Sequence, residues 1–64
     1  MSFKAMRLSA FLTQEEVSAS LGVGRTAVSM WETGDSLPRA ELLLAIAALY
    51  GCTVEDLLKE GTEA

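Results

Sequence analysis

The chain has 64 residues, half of them hydrophobic and 22% charged, a balance typical of one small globular domain over residues 1–64. A single cysteine, Cys52, excludes an internal disulfide, and the lack of histidine removes a common zinc ligand and the usual general acid–base catalyst. We therefore expect no metal, no cofactor and no enzymatic activity. The net charge of −4 has the wrong sign for a general nucleic-acid binder, although residues 1–31 carry three basic against two acidic side chains.

Helix signals dominate the chain, because apolar and polar residues do not alternate and β-branched residues are sparse. The first helix is predicted over residues 3–11. Its apolar positions Leu8, Phe11 and Leu12 are expected to face inward.

The second helix is predicted to begin with a capping box formed by residues 13–16, Thr-Gln-Glu-Glu. It runs to Leu21 and buries Val17 and Leu21 on one face. Gly22 ends it, since glycine readily takes the left-handed conformation that follows a helix.

The third helix is predicted from Arg25, with Gly24 as its N-cap, to Gly34. On a helical wheel Val28 and Trp31 fall on the same side as Gly24, and this stripe is expected to face the core.

The fourth helix follows a loop that contains Pro38, covers residues 39–50 and is apolar nearly all round, so it is expected to lie centrally in the core. Its leucines and Tyr50 are predicted core residues. A second capping signature at residues 53–56 opens a last short helix that extends to Lys59, and residues 60–64 are predicted to fray.

The side of the third helix that faces away from the core carries small polar side chains where a solvated face usually mixes Glu with Lys. Its members are Arg25, Thr26, Ser29, Met30 and Thr33. This composition favours close approach by another surface. Two helices joined by a three-residue turn containing glycine, the second with such a face, form a helix-turn-helix.

The sequence resembles the Cro and phage-repressor (XRE-type) family over about residues 4–59. The resemblance is carried by residues 12–17, 21–23, 28–29 and 31–34, followed by Pro38. It implies an all-α, compact five-helix bundle of the lambda-repressor-like DNA-binding type, with a central helix-turn-helix at about residues 14–33. It also implies a homodimeric, sequence-specific regulator of transcription, with repression as the favoured mode, whose partner is double-stranded DNA.

The resemblance further implies roles for individual side chains. Base edges in the major groove are expected to be contacted by Arg25, Thr26, Ser29 and Met30. The phosphate backbone is expected to be contacted by Thr13, Gln14, Arg39 and Lys4. Arg7 and Glu32 match an ion pair that ties the first helix to the end of the third.

An alternative function is a protein-interaction module on the same fold, antitoxin-like or antirepressor-like, with weak or no DNA binding. The net charge and the acidic loop at residues 35–37, where relatives are often basic, favour it. With few phosphate contacts, weak non-specific affinity and a shallow salt dependence are expected. A dimer contact is predicted around Tyr50, Val54, Leu57 and Leu58.

The remaining expectations concern location and ligands. No apolar run approaches the roughly 20 residues of a membrane-spanning helix, and the first residues lack a secretory apolar region. A cytoplasmic, bacterial or phage-encoded protein is therefore predicted, without a membrane partner. The core is too small to spare volume for a small-molecule ligand.

Overall fold

The computed structural model describes residues 2–59, which form five helices in an all-α arrangement without a strand. The helices are α1 (Phe3–Ser9), α2 (Gln14–Leu21), α3 (Arg25–Thr33), α4 (Ala40–Tyr50) and α5 (Val54–Leu58). The predicted fold class is confirmed. The predicted fraying of residues 60–64 lies outside the described residues, and no helix of residues 2–59 is long and apolar enough to cross a membrane.

The helix ends follow the local signals in the sequence. The Thr13 hydroxyl accepts a hydrogen bond from the Glu16 amide at 3.1 Å, and the Thr13 amide donates to the Glu16 carboxylate at 2.8 Å, which completes the predicted capping box. A second capping box opens α5 at Thr53. Gly22 and Gly34 take the left-handed conformation, with φ of 69° and 87°, so each ends its helix as predicted.

The core takes at least one side chain from every helix. Its buried hydrophobic members are Phe3, Val17, Val28, Trp31, Ile46, Ala47, Tyr50 and Leu57. The rings of Phe3 and Trp31 lie 6.5 Å apart at 41°, a tilted aromatic contact between α1 and α3. The Ser2 amide donates to the Leu57 carbonyl at 3.0 Å, so the start of α1 is held against α5.

The prediction for α1 is wrong at its end. The helix stops at Ser9, and Phe11 takes the left-handed conformation with φ of 60°. No glycine or proline marks this end. Leu8 and Phe11, predicted to face inward, are 54% and 92% exposed, whereas Leu12 is half-buried against the core. The inward stripe of α1 instead passes through Phe3 and Arg7, one turn apart.

The prediction that α4 lies centrally in the core is also wrong. Ile46, Ala47 and Tyr50 are buried, but Leu44 on the opposite side is 67% exposed. The other leucines of α4 are half-buried against the core. The helix therefore covers the core from one side, because a bundle this small has too little interior to enclose any helix completely.

Candidate nucleic-acid interface

The turn at residues 22–24 places α2 and α3 against each other and leaves one face of α3 open. Val28 is fully buried and Trp31 is 4% exposed, as predicted for the inward stripe. On the outer side the structure brings together the side chains of Arg25, Thr26, Ser29 and Met30, of which only Ser29 is half-buried and the rest are exposed. These four residues are called the α3 face below.

The chemistry of the α3 face suits hydrogen bonding to a polar surface. Arg25, in the first turn of α3, takes part in neither of the ion pairs formed within residues 2–59, so its five N–H donors remain available. Thr26 and Ser29 carry hydroxyls, and Met30, 37% exposed, adds a flexible apolar group. At the far end Thr33 donates to Asp35 at 2.9 Å, which places a carboxylate beside the face.

Thr13 and Gln14 lie at the N-terminus of α2, where helix amide groups point outward. The exposed Thr13 hydroxyl already caps the helix. The Gln14 carboxamide donates through Nε2 to Glu32 Oε1 at 2.9 Å, so the start of α2 is bonded to the last turn of α3. The sequence did not predict this bond, because the two residues lie 18 positions apart on different helices and meet only through the packing of α2 against α3.

Arg7 and Glu32 form a nearly buried, bidentate ion pair between α1 and α3. Arg7 Nε donates to Glu32 Oε2 at 2.6 Å and Nη2 to Oε1 at 3.2 Å, with side-chain exposures of 9% and 5%. Arg7 Nη1 also donates to the Leu12 carbonyl at 2.8 Å. The hydrogen bond to Glu32 raises the pKa of Arg7 against the opposing effect of burial. Because the two charges cancel, the pair holds α1 against α3 but adds little to the electrostatic potential of the surface.

Lys4 and Arg39 lie on other elements. Lys4 is exposed on α1, and Arg39 is the N-cap residue of α4, without a capping side-chain hydrogen bond. Arg39 is 79% exposed and lies 3.9 Å from the Glu41 carboxylate. An ion pair this exposed is weak, so the Arg39 side chain can move toward an anion, as can the exposed Lys4 side chain.

The predicted dimer contact is partly wrong. Tyr50 and Leu57 are buried within one chain, at 6% and 0% exposure, and belong to its core. Only the half-buried Val54 and the 40% exposed Leu58 remain as surface groups. Within residues 2–59, no group of three or more His, Cys, Asp or Glu residues could hold a metal ion.

Tyr50→Phe is expected to keep the free energy of unfolding unchanged, or to raise it by up to about 1 kcal/mol, at neutral pH. The Tyr50 hydroxyl is buried and has no hydrogen-bond partner among the described residues. Burial raises the pKa of Tyr50 from 10.0 to about 12, while the nearby charges of Glu32 and Arg7 act on it in opposite directions. The unfolded chain therefore loses this proton first, so the stability of the wild type falls as pH rises from 10.0 toward about 12.

Urea denaturation at about pH 8 and about pH 11 measures this difference. The Tyr50→Phe protein should lose less stability than the wild type between the two pH values. An equal alkaline loss in both proteins would assign the effect to other groups.

Comparison with known proteins places these features in a family. A sequence profile described as helix-turn-helix matches residues 3–57. The chain is 43% identical over 47 residues to the HTH-type transcriptional activator BcrR of Enterococcus faecalis, a match covering 73% of the chain and 23% of that relative. It is 31% identical over 55 residues to the cryptic phage CTXphi transcriptional repressor RstR of Vibrio cholerae, covering 86% of the chain and 50% of that relative. The chain thus spans at most half the length of these curated relatives, and no solved structure matches it significantly.

Proposed function

We propose that this chain, which belongs to the helix-turn-helix family, is a sequence-specific double-stranded DNA-binding regulator of transcription that places α3 in the major groove. The α3 face carries the proposal. It presents one arginine, two hydroxyls and one thioether on the side of α3 opposite the buried Val28 and Trp31. Both relatives named above are transcription regulators, which supports the same function here.

Each residue of the α3 face has a reading role that its chemistry allows. The planar fork of Arg25 pairs bidentately with O6 and N7 of a guanine. Thr26 and Ser29 donate to or accept from base edges or a phosphate, and the Met30 side chain packs against a thymine methyl. A recognition helix reads bases chiefly from its N-terminal residues, and Arg25 occupies that end.

The backbone contacts fix the register of α3 on the duplex. The Gln14 carboxamide spends one N–H on Glu32 and keeps a second for a phosphate at the N-terminus of α2, beside Thr13. Lys4 and Arg39 supply the cations. Because so few phosphates are neutralised, non-specific affinity is weak and the salt dependence is shallow, at about −0.9 per neutralised phosphate.

The regulator acts as a homodimer on a site with approximate two-fold symmetry, whose half-sites lie about one helical turn apart. Val54 and Leu58 are the surface apolar groups that remain for the dimer contact near α5. Repression requires only that the bound dimer exclude polymerase from an overlapping promoter. We therefore infer repression by occupancy as the mode of action.

Selection from a pool of random double-stranded DNA at ~50 mM salt tests the proposal. At this low ionic strength even a small number of phosphate contacts is enough to keep the protein bound. An enriched, two-fold symmetric sequence is the expected result, and an enriched asymmetric sequence would overturn the homodimer alone. No enrichment by a protein that is helical by circular dichroism would overturn DNA binding. That outcome would favour the protein-interaction module, which the net charge of −4 and Asp35 beside the α3 face also favour.

A further inference from the structure

Phe11 combines two features that work against stability. It is the one non-glycine residue among residues 2–59 with a positive φ, at 60°, and its side chain is 92% exposed. The left-handed region is strained for a bulky side chain, and an aromatic ring that stays in water contributes no hydrophobic stabilisation to the fold. Glycine or asparagine makes the same turn without these costs. The fold therefore offers no reason for phenylalanine at this position.

The turn that carries Phe11 is held in place from both sides. The Phe11 amide donates to the Leu8 carbonyl at 3.0 Å, and the Leu12 amide donates to the Arg7 carbonyl at 3.2 Å. The Leu12 carbonyl in turn accepts from Arg7 Nη1 at 2.8 Å, which ties the turn to the buried ion pair. The exposed ring thus stands on a fixed backbone.

Phe11 also lies next to the proposed phosphate site. It precedes Thr13, the N-cap of α2, by two residues, so their Cα atoms are at most about 7 Å apart. Lys4 and Leu8 lie one turn apart on α1, the helix that precedes this turn, and Leu8 is 54% exposed. A DNA backbone bound at the N-terminus of α2 would therefore pass close to Phe11.

We propose that Phe11 is a DNA contact whose ring packs against deoxyribose of the backbone strand that meets the N-terminus of α2. The inference rests on the proposed function, because the ring continues that interface. It supplies a contact that needs no counterion release, on a surface whose cations are few. The apolar face of the sugar is the chemical partner, so the contact carries no sequence preference.

Phe11→Asn tests the inference, since asparagine suits the left-handed turn and lacks the ring. The melting temperature is expected to rise by about 4 °C as the strain is relieved. Affinity for the DNA duplex most enriched by the wild type is expected to fall about tenfold, through loss of apolar burial alone. The slope of log affinity against log salt should stay unchanged, because no phosphate loses a charged partner.

Two further variants control the measurement. Phe11→Tyr keeps both the ring and the strain and should retain wild-type affinity and melting temperature. Leu44→Ala removes another exposed apolar side chain, 67% exposed on α4, and should leave DNA affinity unchanged.

The outcomes separate this inference from the proposed function. Wild-type affinity in a folded Phe11→Asn protein would overturn the DNA contact and leave the proposed function intact. Failure of the wild type to select any duplex would overturn the proposed function itself. A loss of affinity together with a weaker dimer by sedimentation of the free protein would overturn the inference and place the ring between two copies of the chain.

Discussion

Arg7→Met is expected to lower the free energy of unfolding by about 3–5 kcal/mol, because it leaves the Glu32 carboxylate nearly buried and without its charged partner. A domain of this length has roughly 3–10 kcal/mol in total, at about 0.05–0.15 kcal/mol per residue. The loss is therefore a large share of the total stability, and the variant should unfold at a much lower denaturant concentration than the wild type. The Leu12 carbonyl also loses its donor, which loosens the turn between α1 and α2.

Chemical denaturation followed by circular dichroism measures the effect, with Arg39→Met as the matched control. Arg39 is 79% exposed and 3.9 Å from Glu41, so the same substitution there should change stability by less than about 0.5 kcal/mol. The double variant Arg7→Met, Glu32→Met should regain part of the loss, since an apolar pair replaces the two charges together. If the two substitutions lowered the free energy of unfolding equally, the buried Arg7–Glu32 pair would not be the cause of the loss.

Much of the fold could be predicted from sequence because helix ends are local events. Thr13 and Thr53 cap through residues three positions away, and Gly22 and Gly34 end helices through their own backbone preference. The end of α1 could not be predicted, because Phe11 holds the left-handed position against its intrinsic preference. Besides its local backbone bonds, the turn is held by the bond from Arg7 to the Leu12 carbonyl, and Arg7 is itself positioned by Glu32 on another helix, so this support lies outside the local helix-end signals.

The candidate site divides in the same way. The α3 face follows from helical periodicity, since burial of Val28 and Trp31 determines which side chains point outward. The bond from Gln14 to Glu32 depends on how α2 and α3 pack, and their sequence separation carries no signal for it. The sequence also did not predict that Leu8, Phe11 and Leu44 are exposed. A bundle of this size has too little interior to bury every hydrophobic side chain.

Arg25→Ala is expected to weaken binding to the selected duplex by roughly 5–150-fold, the loss of one bidentate arginine–guanine contact worth about 1–3 kcal/mol. Lys59→Ala is the matched control, because it removes one positive charge from an exposed residue beyond α5. It should leave specific affinity nearly unchanged. The Arg25→Lys variant should also bind the selected duplex weakly, since the point charge of lysine cannot reproduce the planar fork of arginine.

The decisive readout is a cycle that combines the protein variant with a change in the DNA. Replacing the guanine read by Arg25 should weaken wild-type binding by about the same factor as Arg25→Ala, and combining both changes should cost little more than either. A phosphate contact gives a different pattern, because Arg25→Ala then weakens binding to every sequence equally and reduces the salt slope by about 0.9. That pattern would move Arg25 from reading bases to positioning the helix, and would leave Thr26, Ser29 and Met30 to carry the specificity.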